Sequence, residues 1–147
     1  MIAGVDYPGL AVVFYCHDGN QHFALGKRST NTRAYHGHWD GGGGQIEFGE
    51  TVQEAIDREL LEEFGCIGKV EYEFPASTRV FEKDGQTNHW VVLRFLIRVN
   101  HEDVRNNEPR SIDEVGWFTL DNFPEPLLPG LAEDLKDHQE LLLKLTK

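Results

Sequence analysis

Arg58 is followed by Glu59, Glu62 and Glu63. On a helix, that i, i+3, i+4 spacing gathers three carboxylates on one side. Like charges so arranged repel, and burial would raise the cost of ionising them further. A hard divalent cation such as Mg²⁺ or Mn²⁺ answers both problems, because it takes oxygen ligands, retains several waters and accepts phosphate oxygens; zinc fits an all-oxygen set less well. Taken alone, such a cluster reads more often as a solvated acidic patch. Two neighbours change the balance. Gly41 to Gly44 and Gly49 precede the cluster and let main chain approach a phosphate or metal closely, although glycine runs also make loose loops. Arg58 can grip a carboxylate in a two-point fork, or stand exposed on its helix.

The element that must carry these residues runs from Thr51 to Phe64. Thr51 and Glu54 form an S/T-x-x-E capping box, and Gly65 supplies the stop. With Val52 as reference and 100° per residue, Ala55 and Ile56 define an inward stripe; Glu59, Glu62 and Glu63 fall within it and Leu61 points away. Around this helix, Gly9 to Cys16 reads as a buried strand and His22 to Lys27 as its hairpin partner across Asp18-Gly19-Asn20. Ser29 to Asp40 reads as a loop. Lys69 to Glu82 and Thr87 to Asn100 read as two long strands around Lys83-Asp84-Gly85-Gln86. His101 to Asp113 is irregular, Val115 to Leu120 is a short strand, and a last helix runs from about Leu131 to Leu145 after three prolines. Strands and helices mixed without βαβ alternation predict an α+β architecture with a mixed sheet between helices.

The 147 residues suffice for one domain spanning 1–147. A content of 39% hydrophobic and 27% charged residues favours neither disorder nor a membrane protein. No stretch approaches the roughly 20 apolar residues of a membrane span, and no basic-then-apolar signal opens the chain, so a cytoplasmic location is expected. Cys16 and Cys66 lie in apolar surroundings and make no metal-ligand pattern. The formal net charge of −11 argues against a nucleic-acid partner. It also means that an anionic substrate could dock only after cations reverse the local sign.

From Gly44 to Cys66 the chain reads GQIEFGETVQEAIDRELLEEFGC, which resembles the Nudix box G-x5-E-x7-R-E-U-x-E-E-x-G-U. Gly44, Glu50, Arg58, Glu59, Leu60, Glu62, Glu63 and Gly65 match; Cys66 stands where an aliphatic residue is usual, and Gly41-Gly42 where many members have a bulkier residue and proline. Trp39 and the segment Asn107 to Leu128 also resemble MutT-like members. The resemblance implies a Nudix-type α/β/α sandwich and divalent-metal hydrolysis of a diphosphate linkage in a small nucleotide. It assigns Gly44, Glu59, Glu62 and Glu63 to metal, and Glu50 and Arg58 to orienting those carboxylates. Glu62 is the expected general base, with Glu108 a second candidate for base or extra ligand. Arg28 reads either as a phosphate contact or as an exposed strand-end arginine, and Trp39 either as a base-stacking surface or as packing. Phe81, Trp90 and Phe95 read as sheet packing before they read as a base-binding wall. Resemblance in the NEP to LDNFPEPLL segment, with Glu82 where many ADP-ribose pyrophosphatases have proline, favours a nucleoside triphosphate. A nucleotide sugar, ADP-ribose, a dinucleoside polyphosphate or a non-catalytic nucleotide sensor are the alternatives. Monomer and homodimer stay open.

Overall fold

The computed structural model describes residues 1–147. Eight strands and two long helices follow one another as β1 (Gly9–His17), β2 (Phe23–Arg28), β3 (Trp39–Asp40), β4 (Gly43–Gln45), α1 (Val52–Phe64), β5 (Lys69–Glu73), β6 (Ser77–Lys83), β7 (Gln86–Arg98), β8 (Ile112–Phe118) and α2 (Pro129–Leu145). The central pair, β1 and β7, is parallel, with Gly9 opposite Trp90 and His17 opposite Arg98. Every other strand pairing is antiparallel, so the sheet is mixed.

Alternation along β1 divides the core in two. Val12, Phe14 and Cys16 face α1, where they pack with Ala55, Ile56, Leu60, Phe64, Phe95 and Ile97. Tyr15 faces the other way, packing with Phe23, Leu25, Phe74, Leu96 and the α2 residues Leu131 and Leu142. The sheet therefore lies between two helices, the expected α/β/α sandwich. No helix is long and apolar enough to cross a membrane.

Three expectations need correction. The run Lys69 to Glu82 is two strands, because β5 pairs with the C-terminal part of β7 and β6 with its N-terminal part; Pro75, which lacks an N–H, lies in the break. Trp39–Asp40 is a short strand beside β2 rather than loop. On α1 the buried stripe runs through Ile56, Leu60 and Phe64, while Val52 is 36% exposed. The helix rolls toward its larger apolar side chains, which bury more surface than a first-turn valine.

Candidate active site

The predicted cap forms: the Thr51 side chain accepts from Glu54 N–H at 3.1 Å, and the Glu54 carboxylate accepts from Thr51 N–H at 3.2 Å. At the other end Gly65 adopts a left-handed conformation and donates to Leu61 O at 3.0 Å. The roll of α1 leaves Glu59 and Glu63 at the border of its buried stripe, against β4 and the Gly41-Gly42 pair that leads into it. Glu63 Oε2 accepts from Gly43 N–H at 3.0 Å. A Cβ at Gly44 would overlap the Glu59 carboxylate, with Oε2 at 2.7 Å, and a Cβ at Gly42 would lie 2.7 Å from Glu63 Oε2. Glycine at these positions makes the space that the carboxylates occupy.

Arg58 organises one side of the cluster. It donates to Glu50 through Nε at 2.6 Å and Nη2 at 2.9 Å, to Gln45 O at 3.0 Å, and through Nη1 to Glu59 Oε1 at 2.8 Å. These bonds, aided by Glu47 N–H, hold the Glu50 carboxyl down at about 2. Glu59 is raised instead, because burial outweighs Arg58 and the charges of Glu62 and Glu108 add to the effect. Glu63 is pushed well above the usual carboxylate range by burial, with Gly43 N–H opposing and Glu59, Asp40 and Glu108 adding repulsion.

Glu108 reaches this cluster because its loop completes the end of α1. Arg105 N–H donates to Phe64 O and Asn107 N–H to Glu63 O, satisfying carbonyls that a helix end leaves unpaired, while Asn107 Nδ2 adds a second bond to Leu61 O. Asn106 Nδ2 ties the loop to Ile112 O at 2.7 Å, and its Oδ1 accepts from Glu108 N–H. Glu59, Glu63 and Glu108 thus line one cleft of about 200 Å³, with Arg28, Thr32, Asp40 and Ser111. Arg28 is steadied there by Ala34 O at 2.9 Å and lies 4.0 Å from Asp40. As they stand, no three of these side chains are drawn closely enough together to hold an ion; their all-oxygen chemistry and shortage of counter-charge suit a hard divalent cation.

Two site expectations fare differently. Glu62 does not line the cleft; its side chain is 53% exposed, 3.5 Å from Arg58 Nη1, because the roll of α1 turns it outward. Trp39 is 7% exposed and packs edge-on against Phe118, so its ring offers no stacking surface. Asp40 was missed, although it directly precedes the glycine run. It borders both the acidic cleft and a second, mainly apolar cavity of about 520 Å³ between β1, β6, β7 and the start of α2. Phe81 lines that cavity; Phe95 lies in the α1-side core, and the Trp90 ring packs against Gly4 and Gly9.

Comparison with known proteins adds the following. The family model described as NUDIX domain matches residues 7–140. The oxidized purine nucleoside triphosphate hydrolase of Danio rerio is 31% identical over 97 residues, covering 60% of this chain and 53% of that protein. An RNA pyrophosphohydrolase of Sulfurovum sp. (strain NBC37-1) is 35% identical over 98 residues, covering 59% of this chain and 60% of that protein. The chain thus spans little more than half the length of these two curated relatives. The crystal structure of a MutT NUDIX hydrolase from Burkholderia pseudomallei superposes with a TM-score of 0.72 at 24% identity, covering 97% of this chain and 100% of that one. The MutT protein from Methanosarcina mazei Go1 gives 0.71 at 22% identity, covering 93% and 97%. At those identities the two structures bear on the fold.

Proposed function

We propose, since this chain belongs to the NUDIX domain family, that it hydrolyses a diphosphate linkage of a nucleoside triphosphate, releasing monophosphate and pyrophosphate, with Mg²⁺ or Mn²⁺ bound. One observation carries the reading: a cleft lined by Glu59, Glu63, Glu108 and Arg28 shares Asp40 with an apolar cavity of nucleoside size. The printed function of the Danio rerio relative supports a nucleoside triphosphate. The net charge of −11 weighs against the RNA substrate named for the Sulfurovum relative.

Glu59 and Glu63, with main chain near Gly44, would hold the metal, whereas Glu62 lies outside the cleft, beside Arg58. When bound, the ion neutralises diphosphate charge and lowers the pKa of attacking water. The protein's own groups do the rest. Arg58, anchored on Glu50, fixes the direction of the Glu59 carboxylate. Arg28 pairs with a phosphate oxygen. Glu108 takes the proton of the water as its oxygen bonds to phosphorus, and the phosphoanhydride P–O electron pair leaves with the departing phosphate. The base role moves from Glu62 to Glu108 because Glu108 lines the cleft and Glu62 does not.

The test is a panel of nucleoside triphosphates, nucleotide sugars, ADP-ribose, dinucleoside polyphosphates and 5′-triphosphate RNA, with products separated by chromatography. Monophosphate and pyrophosphate from a nucleoside triphosphate, dependent on added metal, are expected. Faster turnover of any other class would overturn the substrate assignment, and specific binding without turnover of any compound would make the protein a sensor.

A further inference from the structure

We infer that the free edge of β6 is a self-pairing surface: whatever the substrate, it takes the same strand of a second copy of this chain, antiparallel and centred on Val80.

A strand with one neighbour turns half of its main-chain N–H and C=O groups outward, and folded proteins usually blunt such an edge with shortness, a bulge, proline or charge. Five strands have a single strand neighbour: β3, β4, β5, β6 and β8. Of these, β3 and β4 have only two and three residues. A register shift between Val70 and Tyr72 bulges β5, and β8 carries Asp113, Glu114 and Gly116. By contrast β6 runs in unbroken register against β7 for seven residues, with no proline or glycine. None of its main-chain groups bonds outside that ladder. Its Val80 and Phe81 are 61% and 46% exposed.

The residues of the strand choose the occupant. When a two-fold axis relates two antiparallel strands, residues directly opposite share a face, so the seam must be centred on a residue. Centred on Val80, it matches all seven positions. Val80 meets the partner's Val80, Thr78 the partner's Glu82, Arg79 the partner's Phe81, and Ser77 the partner's Lys83. These are an apolar pair, a hydroxyl on a carboxylate, a guanidinium on an aromatic ring and a hydroxyl on an ammonium. Moving the centre sets like charges directly opposite, which destabilises pairing: Arg79 on the partner's Arg79 when centred there, Arg79 on the partner's Lys83 when centred on Phe81, and Glu82 or Lys83 on itself when centred further on. Centring on Ser77 or Thr78 leaves most of the strand unmatched. In the favoured register the two Arg79 side chains lie only across a diagonal, and each already holds its own Glu133 at 2.9 Å. Arg79 and Phe81 also line the apolar cavity, so each copy's Phe81 comes to the wall of the other's cavity.

Sedimentation of the full chain from about 1 µM to 1 mM tests the pairing, because a seven-residue seam is smaller than a standard interface and should give a weak dimer. The parent should pass from monomer to dimer within that range. Val80→Lys, which opposes two ammonium groups at the centre, should weaken the dimer at least about 5-fold. Thr78→Lys, which meets the partner's Glu82 twice across the seam, should tighten it about 2- to 30-fold. Both positions are exposed, so the fold should survive either change. A parent that stays monomeric throughout, or a dimer of unchanged strength in folded Val80→Lys, would overturn the pairing. A Thr78→Lys dimer no tighter than that of the parent would overturn its register. Should one variant not fold, the other decides.

Discussion

Under α2, Arg94, Asp134 and Tyr15 bury their polar groups together: Arg94 pairs with Asp134, the Tyr15 hydroxyl donates to Asp134, and Arg94 Nη2 donates to Pro75 O at 2.6 Å. On the α1 side of the sheet, Glu59, Glu63 and Glu108 crowd one cleft with Arg58 bonded to Glu59 alone among them. The first cluster balances its charge within the chain and fastens α2 to the sheet. The second leaves negative charge in excess, at a cost that glycine backbone and Arg58 only partly offset. The difference teaches that buried charge met by the chain's own counter-charge reports on architecture, and buried charge left in surplus reports on a ligand.

The sharpest way to break that contrast is to damage the balanced cluster. Asp134→Ala leaves the Arg94 guanidinium buried without its carboxylate and should cost about 3–5 kcal/mol, read by urea unfolding. A cost below about 1 kcal/mol would show that the cluster does not fasten α2. In the surplus cluster the effects should invert. Glu63→Gln should lower turnover by at least about 100-fold, while the metal-free protein stays as stable as the parent or gains, because the cost of either ionising or protonating a buried carboxyl has gone. Near-parental turnover with stability lost would make Glu63 structural.

How far this contrast was legible in the sequence follows from the range of the interactions. The cap of α1, its glycine stop, the glutamate spacing and the Asp18-Gly19-Asn20 turn depend on neighbours a few residues apart, and each could be read from the chain. Leu60 and Phe64 could have corrected the stripe on α1, since their bulk outweighs Val52, and Pro75 could have flagged the break between β5 and β6. The Tyr15 and Asp134 pair joins positions 119 residues apart, and no local pattern announces it. Trp39 stayed open between a surface for bases and packing because its burial depends on Phe118, on the far strand β8.

A smaller effect is expected at the edge of the surplus cluster. Glu108→Gln should lower turnover about 10-fold or more with stability little changed; turnover within about twofold of the parent at saturating metal would return the base role to the residues of α1. The smallest expected effect is on pH dependence. Burial raises Glu63 above its unfolded value, so the native state keeps a proton that the unfolded chain releases. The stabilisation from that proton is complete below the unfolded value and is lost as pH rises through the folded one. Metal-free protein should therefore lose stability as pH climbs out of the ordinary carboxylate range, and Glu63→Gln should flatten that decline. Identical slopes would remove Glu63 from the account of surplus charge.

The most direct test is the response to metal itself. Mg²⁺ or Mn²⁺ added to the chelated parent should bind in calorimetry, raise the unfolding temperature and restore turnover from none, since an ion held only by the native state stabilises it. The Glu59→Gln, Glu63→Gln double variant should show none of the three. Equal binding and stabilisation in the double variant, or full turnover by the parent after exhaustive chelation, would contradict the claim that the surplus carboxylates of α1 exist to hold a divalent cation.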